Sequence, residues 1–403
     1  MTYDINGHAT AIEWAPTAFP LPYEVDQRLQ AAYPGISPRI DGAFEAWSSI
    51  EDSSVRFEPR GVVAVTMRTQ DGRIGVSLAD DLFRDQGALA MTTYTFDATG
   101  RFLDADIQID PSLMTGNYNV DTALRHEVGH VLGLDHSGVL SAVMYPFVTT
   151  GDTPIAFDSD DRIIIAATYP RSDPTLSGAT LQGRVLGDQG GIYAAQVVAV
   201  NAHGHPVSTV LTSSSGEFTL TGIPKGRYRV YAEPLDGPVD HNSLQGTWRL
   251  AKPVPFPTRF HEGPPLDVES GKVYGNLVVT TGGAVQLNPR WIGRAKPDTA
   301  EVSLGSSPLC VKAGETITLA VAGDGFISGM TEIEILSPGF RRVSEFRWAG
   351  NYVSATYVVA PDVEPGSAVI LVRSGSDRAM LTGALRISTS EAISGGRRRA
   401  ARH

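Results

Sequence analysis

Two kinds of hydrophobic pattern divide the chain. In residues 38–48, apolar side chains recur at helical spacing, which predicts a helix. The continuous apolar run at residues 62–67 predicts a buried strand, and the polar–apolar alternation of residues 106–110 predicts a half-buried strand. Asp158 or Ser159 is expected to cap a further helix. The first part of the chain is therefore expected to combine helices and strands.

Beyond a proline-containing break at residues 170–174, the pattern changes to short apolar runs that glycine and proline separate. Such runs, bounded by turn residues, are typical of β-strands. They fall into two groups, which predicts two β-sandwiches, and the segment between residues 236 and 265 is expected to be an inserted loop in the first. The basic end of the chain is expected to be disordered. The predicted units are 1–172, 173–283, 284–390 and 391–403.

One short stretch carries more chemistry than any other part of the chain. It begins at His126 and reads HEVGHVLGLDH, so that His126 and His130 lie four positions apart. On a helix, that spacing puts both imidazoles on one face, close enough to share a metal ion. Gly133 can end such a helix, because glycine readily adopts a left-handed conformation. The chain can then turn back so that His136 supplies a third ligand.

Three histidines that leave one position open are the ligand set of a catalytic zinc ion, so one zinc is the expected cofactor. Glu127 lies beside these ligands on the same helix, which is predicted over about residues 120–132. It is placed to accept a proton from a zinc-bound water and to pass it to the leaving amine. Glu127 is therefore the expected general base of peptide-bond hydrolysis.

A methionine follows the third histidine in a setting that fits the same type of site. Met144 is followed by Tyr145 and Pro146, and a methionine in a tight turn accompanies the extended zinc motif. Its thioether would form an apolar floor beneath the metal. The motif with its final Asp-His-Ser, together with this Met-turn, resembles the metzincin metalloproteases and, among them, the matrixins. The resemblance covers roughly residues 10–172.

The resemblance implies a fold and a mode of substrate binding. It implies an α+β metzincin catalytic domain, with a mixed twisted sheet and an active-site helix. Matrixins lay an extended polypeptide along an edge strand, and Gly87, Leu89 and Ala90 resemble that strand. Tyr145 and Pro146 would lie beside the specificity pocket. The later units resemble a carboxypeptidase regulatory-like domain and an immunoglobulin-like IPT/TIG domain, so two all-β sandwiches are expected to follow.

Two departures from the matrixin pattern concern metals and latency. Vertebrate-type matrixins hold a second, structural zinc through histidines before the active-site helix, whereas His8 is the only histidine before His126 here. A single zinc is therefore expected. Calcium is a further expected ion, since hard oxygen donors suit it. The carboxylates that could hold calcium, or that are simply solvated, are Asp80, Asp81, Asp85, Asp104, Asp106 and Asp110.

The only cysteine, Cys310, lies far from the motif, so no propeptide-type cysteine switch is visible. Its apolar neighbours predict a small buried residue. Four histidines of the second unit lack an accompanying ligand pattern and are expected at the surface. They are His203, His205, His241 and His261.

Composition and charge limit the partners of the protein. The chain has 403 residues and a formal net charge of −11, and its first 172 residues contain no lysine. An acidic catalytic region would repel nucleic acid, and it suits cationic peptides. No apolar run is long enough to span a membrane. We expect a secreted or extracellular monomer whose signal peptide lies outside this chain and whose substrate is a polypeptide.

Three functions are compatible with these features. The first is a zinc-dependent endopeptidase of extracellular proteins, with β-units that bind protein or carbohydrate. The second is a surface adhesion or carbohydrate-binding protein whose metzincin domain is subsidiary or inactive. The third is a zinc hydrolase that acts on a non-peptide amide. The intact Glu127 favours the first over the second, and the edge strand favours it over the third.

Overall fold

The structure of the protein is a computed structural model. It describes residues 1–5, 8–80, 87–150, 155–171, 178–235, 237–252, 254–283, 285–296 and 301–389. We call residues 1–171 the N-terminal unit, 178–283 the middle unit and 285–389 the C-terminal unit. The basic tail expected at 391–403 and two of the candidate calcium ligands, Asp81 and Asp85, lie outside the described residues.

The N-terminal unit combines a sheet with helices, as the sequence predicts. Its strands are β1 (Thr2–Ile5), β2 (His8–Ala11), β3 (Leu21–Asp26), β4 (Phe57–Val63), β5 (Ile74–Leu78), β6 (Ala90–Phe96) and β7 (Phe102–Ile109). Its helices are α1 (Gln27–Ala32), α2 (Ile36–Ser48), α3 (Pro111–Thr115), α4 (Val120–Val131) and α5 (Ser159–Thr168). Five strands form a mixed sheet in the order β4-β3-β5-β7-β6, in which β6 alone runs antiparallel to its neighbour.

Helix α2 positions helix α4 against the core of this unit. The apolar side of α2 is fully buried, which confirms the helix predicted from its hydrophobic spacing. Trp47 is completely buried, and its indole Nε1 donates a hydrogen bond of 2.8 Å to the backbone oxygen of Arg125 in α4. An apolar contact with a polar anchor therefore fixes the two helices in one arrangement.

The strand predictions in this unit need two corrections. The apolar run at residues 62–67 is not a buried strand, because β4 ends at Val63 and forms an edge of the sheet, where Val62 is 47% exposed. The buried strand of this region is β5, Ile74–Leu78, which the sequence reasoning missed. Strand β7 is buried on both faces and not on one, because helix α4 packs against it and Arg68 contacts its polar residues Asp106 and Gln108.

The middle unit is a sandwich of two sheets around one apolar core. Its strands are β8 (Ala179–Gly187), β9 (Gly190–Gly191), β10 (Gln196–Asn201), β11 (Pro206–Leu211), β12 (Glu217–Ile223), β13 (Gly226–Glu233), β14 (Arg259–Phe260), β15 (Leu266–Val268) and β16 (Val273–Thr280). Between β13 and β14 the chain leaves the sandwich, as the predicted insertion requires, and forms two 3-10 turns at His241–Ser243 and Gly246–Leu250.

The C-terminal unit is a second sandwich of two sheets. Its strands are β17 (Asn288–Ala295), β18 (Val302–Gly305), β19 (Leu309–Lys312), β20 (Thr316–Asp324), β21 (Thr331–Ile335), β22 (Phe340–Arg342), β23 (Arg347–Ala349), β24 (Tyr352–Val359), β25 (Gly366–Ser374) and β26 (Asp377–Ser388). Cys310 is exposed, against expectation, because alternation along β19 turns Val311 into the core and leaves its neighbours outside.

The three units pack against one another through apolar contacts. Tyr231 of the middle unit lies in one buried cluster with Val369 and Leu371 of the C-terminal unit. Leu140 and Tyr145 of the N-terminal unit belong to the core cluster of the C-terminal unit. His205, which was expected at the surface, is only 9% exposed, because its ring lies against Gly366 of the C-terminal unit.

In the described part of the chain, no helix combines the length and apolar character needed to cross a membrane.

Candidate active site

Helix α4 carries the first two histidines of the motif and begins with a side-chain cap. The side chain of Asn119 accepts a hydrogen bond of 2.9 Å from the backbone N–H of Thr122. The negative charge of Asp121 in the first turn interacts favourably with the positive end of the helix dipole. The helix ends at Val131, and Gly133 follows with a φ of 86°. A side chain at that position would also clash with the carbonyl oxygen of Ile12. Both the backbone conformation and the lack of space therefore favour glycine here.

The three histidines converge on one point. Nε2 of His136 lies 3.1 Å from Nε2 of His126 and 3.2 Å from Nε2 of His130. Each ring donates its Nδ1–H to a backbone carbonyl oxygen. The acceptor of His126 is Val143, that of His130 is Leu134, and that of His136 is Ser243. Since a carbonyl can only accept, every Nδ1 carries the proton and every Nε2 offers its lone pair to the shared point.

This arrangement fits a zinc ion. Zinc–nitrogen bonds of 2.0–2.1 Å at tetrahedral angles separate ligand nitrogens by about 3.3 Å, close to the separations found here. Burial lowers the pKa of His126 to about 3 and that of His130 well below its usual range, so both rings stay neutral as ligands must. Among the described residues, one group of His, Cys, Asp or Glu side chains has three ligand atoms close enough together to hold a metal ion. It consists of His126, His130 and His136.

Met144 packs against the last turn of α4, between His126 and His130, at Gly129. A side chain added at Gly129 would lie 2.2 Å from the Met144 sulfur, so the absence of one lets the methionine approach the helix. The buried carboxylate of Asp161 accepts hydrogen bonds from the backbone N–H groups of Val143 and Met144, at 2.9 and 3.2 Å. A carboxylate of α5 therefore holds the turn in place.

Glu127 lies next to the histidine cluster in a buried position, with 6% of its surface exposed. The hydroxyl of Thr92, on β6, lies 2.8 Å from its Oε2. Burial raises the pKa of Glu127 to about 7, whereas the hydrogen bond from Thr92 lowers it. A carboxyl group with a pKa near neutrality can both accept and return a proton.

A cleft of about 660 Å³ opens in front of Glu127 and the histidines. The residues expected to bind substrate all line it: Gly87, Leu89, Ala90, Tyr145 and Pro146. Ala90 begins β6, and the two others on that side precede the strand. Because β6 is the last strand of its sheet, its free edge is available for pairing with an extended chain.

The cleft also contains residues from the other two units, which the sequence reasoning did not anticipate. Gln245 of the middle unit and Ser306 and Ser307 of the C-terminal unit line it. Thr92 and Asp161 were missed as well, because neither belongs to a motif of its own. Their only signal was position, on a strand beside the cleft and on the helix that follows the Met-turn.

Among the four candidate calcium ligands that the structure describes, no group of three lies close enough together to hold a metal ion. Asp110 caps α3, and Asp80 pairs with Arg68 at 3.3 Å. Asp106 is buried and accepts from the backbone N–H of Gly75 at 2.9 Å. These contacts give the carboxylates structural partners, so calcium binding stays a prediction without support from the described residues.

Comparison with known proteins identifies two families in the chain. Residues 20–170 match the Matrixin family, and residues 180–236 match the carboxypeptidase regulatory-like domain. The IPT/TIG resemblance of the C-terminal unit stays a prediction. A putative carbohydrate-binding protein from Bacteroides uniformis aligns with 50% of this chain and 95% of its own at a TM-score of 0.15 and 13% identity, too distant to support an argument.

Several curated proteins are similar to part of the chain. Metalloendoproteinase 2-MMP of Arabidopsis thaliana is 29% identical over 185 residues, which cover 42% of this chain and 47% of that protein. Karilysin of Tannerella forsythia is 28% identical over 134 residues, which cover 32% of this chain and 28% of that protein. The chain thus spans less than half the length of either relative.

Proposed function

Residues 20–170 of this chain are a matrixin domain and residues 180–236 a carboxypeptidase regulatory-like domain, and from this premise we propose that the protein is a zinc-dependent endopeptidase. The observation that carries the proposal is the convergence of three histidine Nε2 atoms beside a buried glutamate. We further propose that its substrates are extracellular proteins, that it is secreted, and that it acts as a monomer. These finer points rest on the matrixin resemblance.

His126, His130 and His136 would hold the zinc ion through Nε2, with their Nδ1–H groups fixed by backbone carbonyls. When bound, the ion would supply Lewis acidity that acidifies water and polarises a carbonyl. Glu127 would take the proton from the attacking water and deliver it to the leaving amine. Thr92 would hold the Glu127 carboxylate toward the cleft. Met144 would support the site from below.

The free edge of β6 favours an extended polypeptide as the substrate. A peptide that pairs with Ala90 would run antiparallel or parallel to β6 through backbone hydrogen bonds, as β-addition requires. Leu89 would offer apolar contact on the same side, and Tyr145 and Pro146 would form the opposite wall of the cleft. We propose that these residues set the side-chain preference next to the scissile bond.

The proposal is tested by digesting a peptide library with the full chain, with and without a zinc chelator. We expect cleavage that the chelator abolishes and added zinc restores. The variant Glu127→Gln should bind zinc as the unaltered protein does and lose at least about 10³-fold in kcat/KM, since it lacks the base. Cleavage by Glu127→Gln at the unaltered rate would remove Glu127 from this role. A chain that binds zinc and cleaves no peptide would leave the adhesion alternative.

A further inference from the structure

The insertion of the middle unit is an ordered structure against the histidine cluster. We define the inserted segment as residues 237–252. Asp240 caps its first 3-10 turn by accepting from the backbone N–H of Asn242, and Leu244 is 3% exposed. Thr247 donates to the carbonyl oxygen of Thr2 at 3.1 Å. The segment is thus anchored on both sides, although it lies outside both stretches that match known families.

Ser243 is the residue of the inserted segment that contacts a proposed metal ligand, His136. Its carbonyl oxygen accepts the Nδ1–H of His136. The corresponding acceptors for His126 and His130 are Val143 and Leu134, both in the N-terminal unit. One of the three histidines is therefore oriented by another unit, 107 residues further along the chain.

Gln245 connects the same segment to two residues of the N-terminal unit, Asp135 and Tyr94. Its backbone N–H lies 3.2 Å from both carboxylate oxygens of Asp135, the residue before the third histidine. Its side-chain oxygen accepts a hydrogen bond from the hydroxyl of Tyr94, on β6. Gln245 also lines the cleft together with the first residues of β6, so it lies close to the strand with which a peptide would pair.

We propose that the inserted segment is part of the catalytic site: Ser243 positions His136 for metal binding, and Gln245 narrows the cleft so that it admits extended peptides of limited side-chain size. The inference rests on the proposed function, which it deepens. Ser243 acts as a positioning residue, because an acceptor for the free ring N–H orients a ligating histidine and raises its basicity. Gln245 acts as a specificity-determining residue, because it occupies space beside the edge strand.

The positioning role is tested in the full chain with Leu244→Ala. Leu244 lies between the two contacting residues, and its truncation should let the Ser243 carbonyl move away from His136. The matched control is Leu319→Ala, which removes a leucine of the same buried cluster from strand β20, on the far sandwich. Both variants should lose stability by similar amounts, so any difference in metal binding belongs to the site.

Zinc affinity is measured by competition with a chelator, and the visible spectrum of the cobalt(II)-loaded protein reports the geometry of the three-histidine site. We expect Leu244→Ala to weaken zinc binding about tenfold and to alter the cobalt spectrum, and Leu319→Ala to do neither. Equal zinc affinity in both variants and the unaltered chain would overturn the positioning role. If Leu244→Ala does not fold, Gln245→Ala, which loosens the same segment, is measured in its place.

The specificity role is tested by comparing Gln245→Ala with Asn242→Ala on a peptide library. Asn242 belongs to the same segment but is exposed, and its side chain contacts Asp240 and not the cleft. We expect Gln245→Ala to accept larger side chains at one or two peptide positions, by about tenfold in relative kcat/KM, and Asn242→Ala to keep the original preference. An unchanged preference in Gln245→Ala would overturn this role.

These readouts separate the inference from the proposed function. Zinc affinity and the cobalt spectrum are measured whether or not the protein cleaves peptides. A chain that binds zinc without cleaving any peptide would contradict the proposed function, and the Leu244→Ala comparison would still decide whether the inserted segment positions His136.

Discussion

The two sides of the histidine cluster are built in different ways. On one side, His126 and His130 lie one turn apart on α4, and the carbonyls that orient them belong to the same unit. On the other side, His136 is oriented by Ser243 of the middle unit. The first side needs only a helix and a nearby turn. The second side is complete only when two units are packed together.

Two adjacent carboxylates on α5 repeat this division. Asp161 accepts hydrogen bonds from the Met-turn, within the N-terminal unit. Asp160 accepts from the hydroxyl of Ser137, next to the third histidine, and from the backbone N–H of Thr209 in the middle unit. The helix side of the site is therefore held by contacts within the N-terminal unit, whereas the His136 side depends on contacts with the middle unit.

The largest loss of stability is expected from Asp161→Ala, which removes the carboxylate that holds the Met-turn on the helix side of the site. Asp161 also accepts from the backbone N–H of Asp158, so its loss leaves several buried N–H groups without an acceptor. We expect the free energy of unfolding to fall by about 3 kcal/mol, measured by urea denaturation followed through tryptophan fluorescence. Asp160→Asn, which retains one oxygen acceptor, is the comparison and should cost less. Equal losses would show that the Met-turn has no special dependence on Asp161.

Thr92→Val tests the proposed base, Glu127, which lies on the same side of the site. Burial raises the pKa of Glu127 to about 7, and the Thr92 hydroxyl lowers it. Because a base must be deprotonated to act, kcat/KM falls as the pH drops through that pKa, and the positive charge of bound zinc would move this acid limb to lower pH. Removing the hydroxyl should raise the pKa of Glu127 and so move the acid limb to higher pH. At pH values below that pKa, kcat/KM should fall by up to about tenfold, and at higher pH it should change little.

The measurement is the pH dependence of kcat/KM for a single peptide, compared between Thr92→Val and the unaltered protein. Thr93→Val, at the next position of β6, is the matched control. An acid limb that stays in place, or that moves to lower pH, would contradict the assignment of Thr92 as the partner of Glu127.

The smallest effect is expected from Tyr145→Phe, on the side shared with the C-terminal unit. The Tyr145 hydroxyl donates a hydrogen bond of 2.6 Å to the carbonyl oxygen of Ser306. Its loss should lower stability by about 1 kcal/mol and leave zinc affinity unchanged, because the ring still fills the wall of the cleft. Calorimetry and chelator competition check these two outcomes. A tenfold loss of zinc affinity would mean that this contact, too, supports the metal ligands.

The short range of the motif explains how much of the site could be predicted. His126, Glu127 and His130 are related by helical geometry alone, so their spacing was sufficient to place them together. Gly133 and Met144 were predictable because a helix end and a turn are local events as well. The matrixin match over residues 20–170 confirms the family that these residues indicated.

The errors have a common physical cause. An apolar run such as residues 62–67 has the same composition whether its strand lies at the centre or at the edge of a sheet, and only the strand order makes β4 an edge. Cys310 was misjudged in the same way, because apolar neighbours do not tell which face of β19 is covered. Local pattern predicts that a strand exists more readily than it predicts what covers the strand.

The sequence alone predicts that one helix and one turn bring together three imidazoles, one carboxylate and a methionine, which is the pattern of a zinc site. Only the folded chain shows which residues surround this group. Thr92 reaches Glu127 from a strand 35 residues earlier, and Ser243 reaches His136 from another unit. Helical spacing is a property of neighbouring residues, whereas these contacts arise from the packing of whole units, which no local pattern encodes.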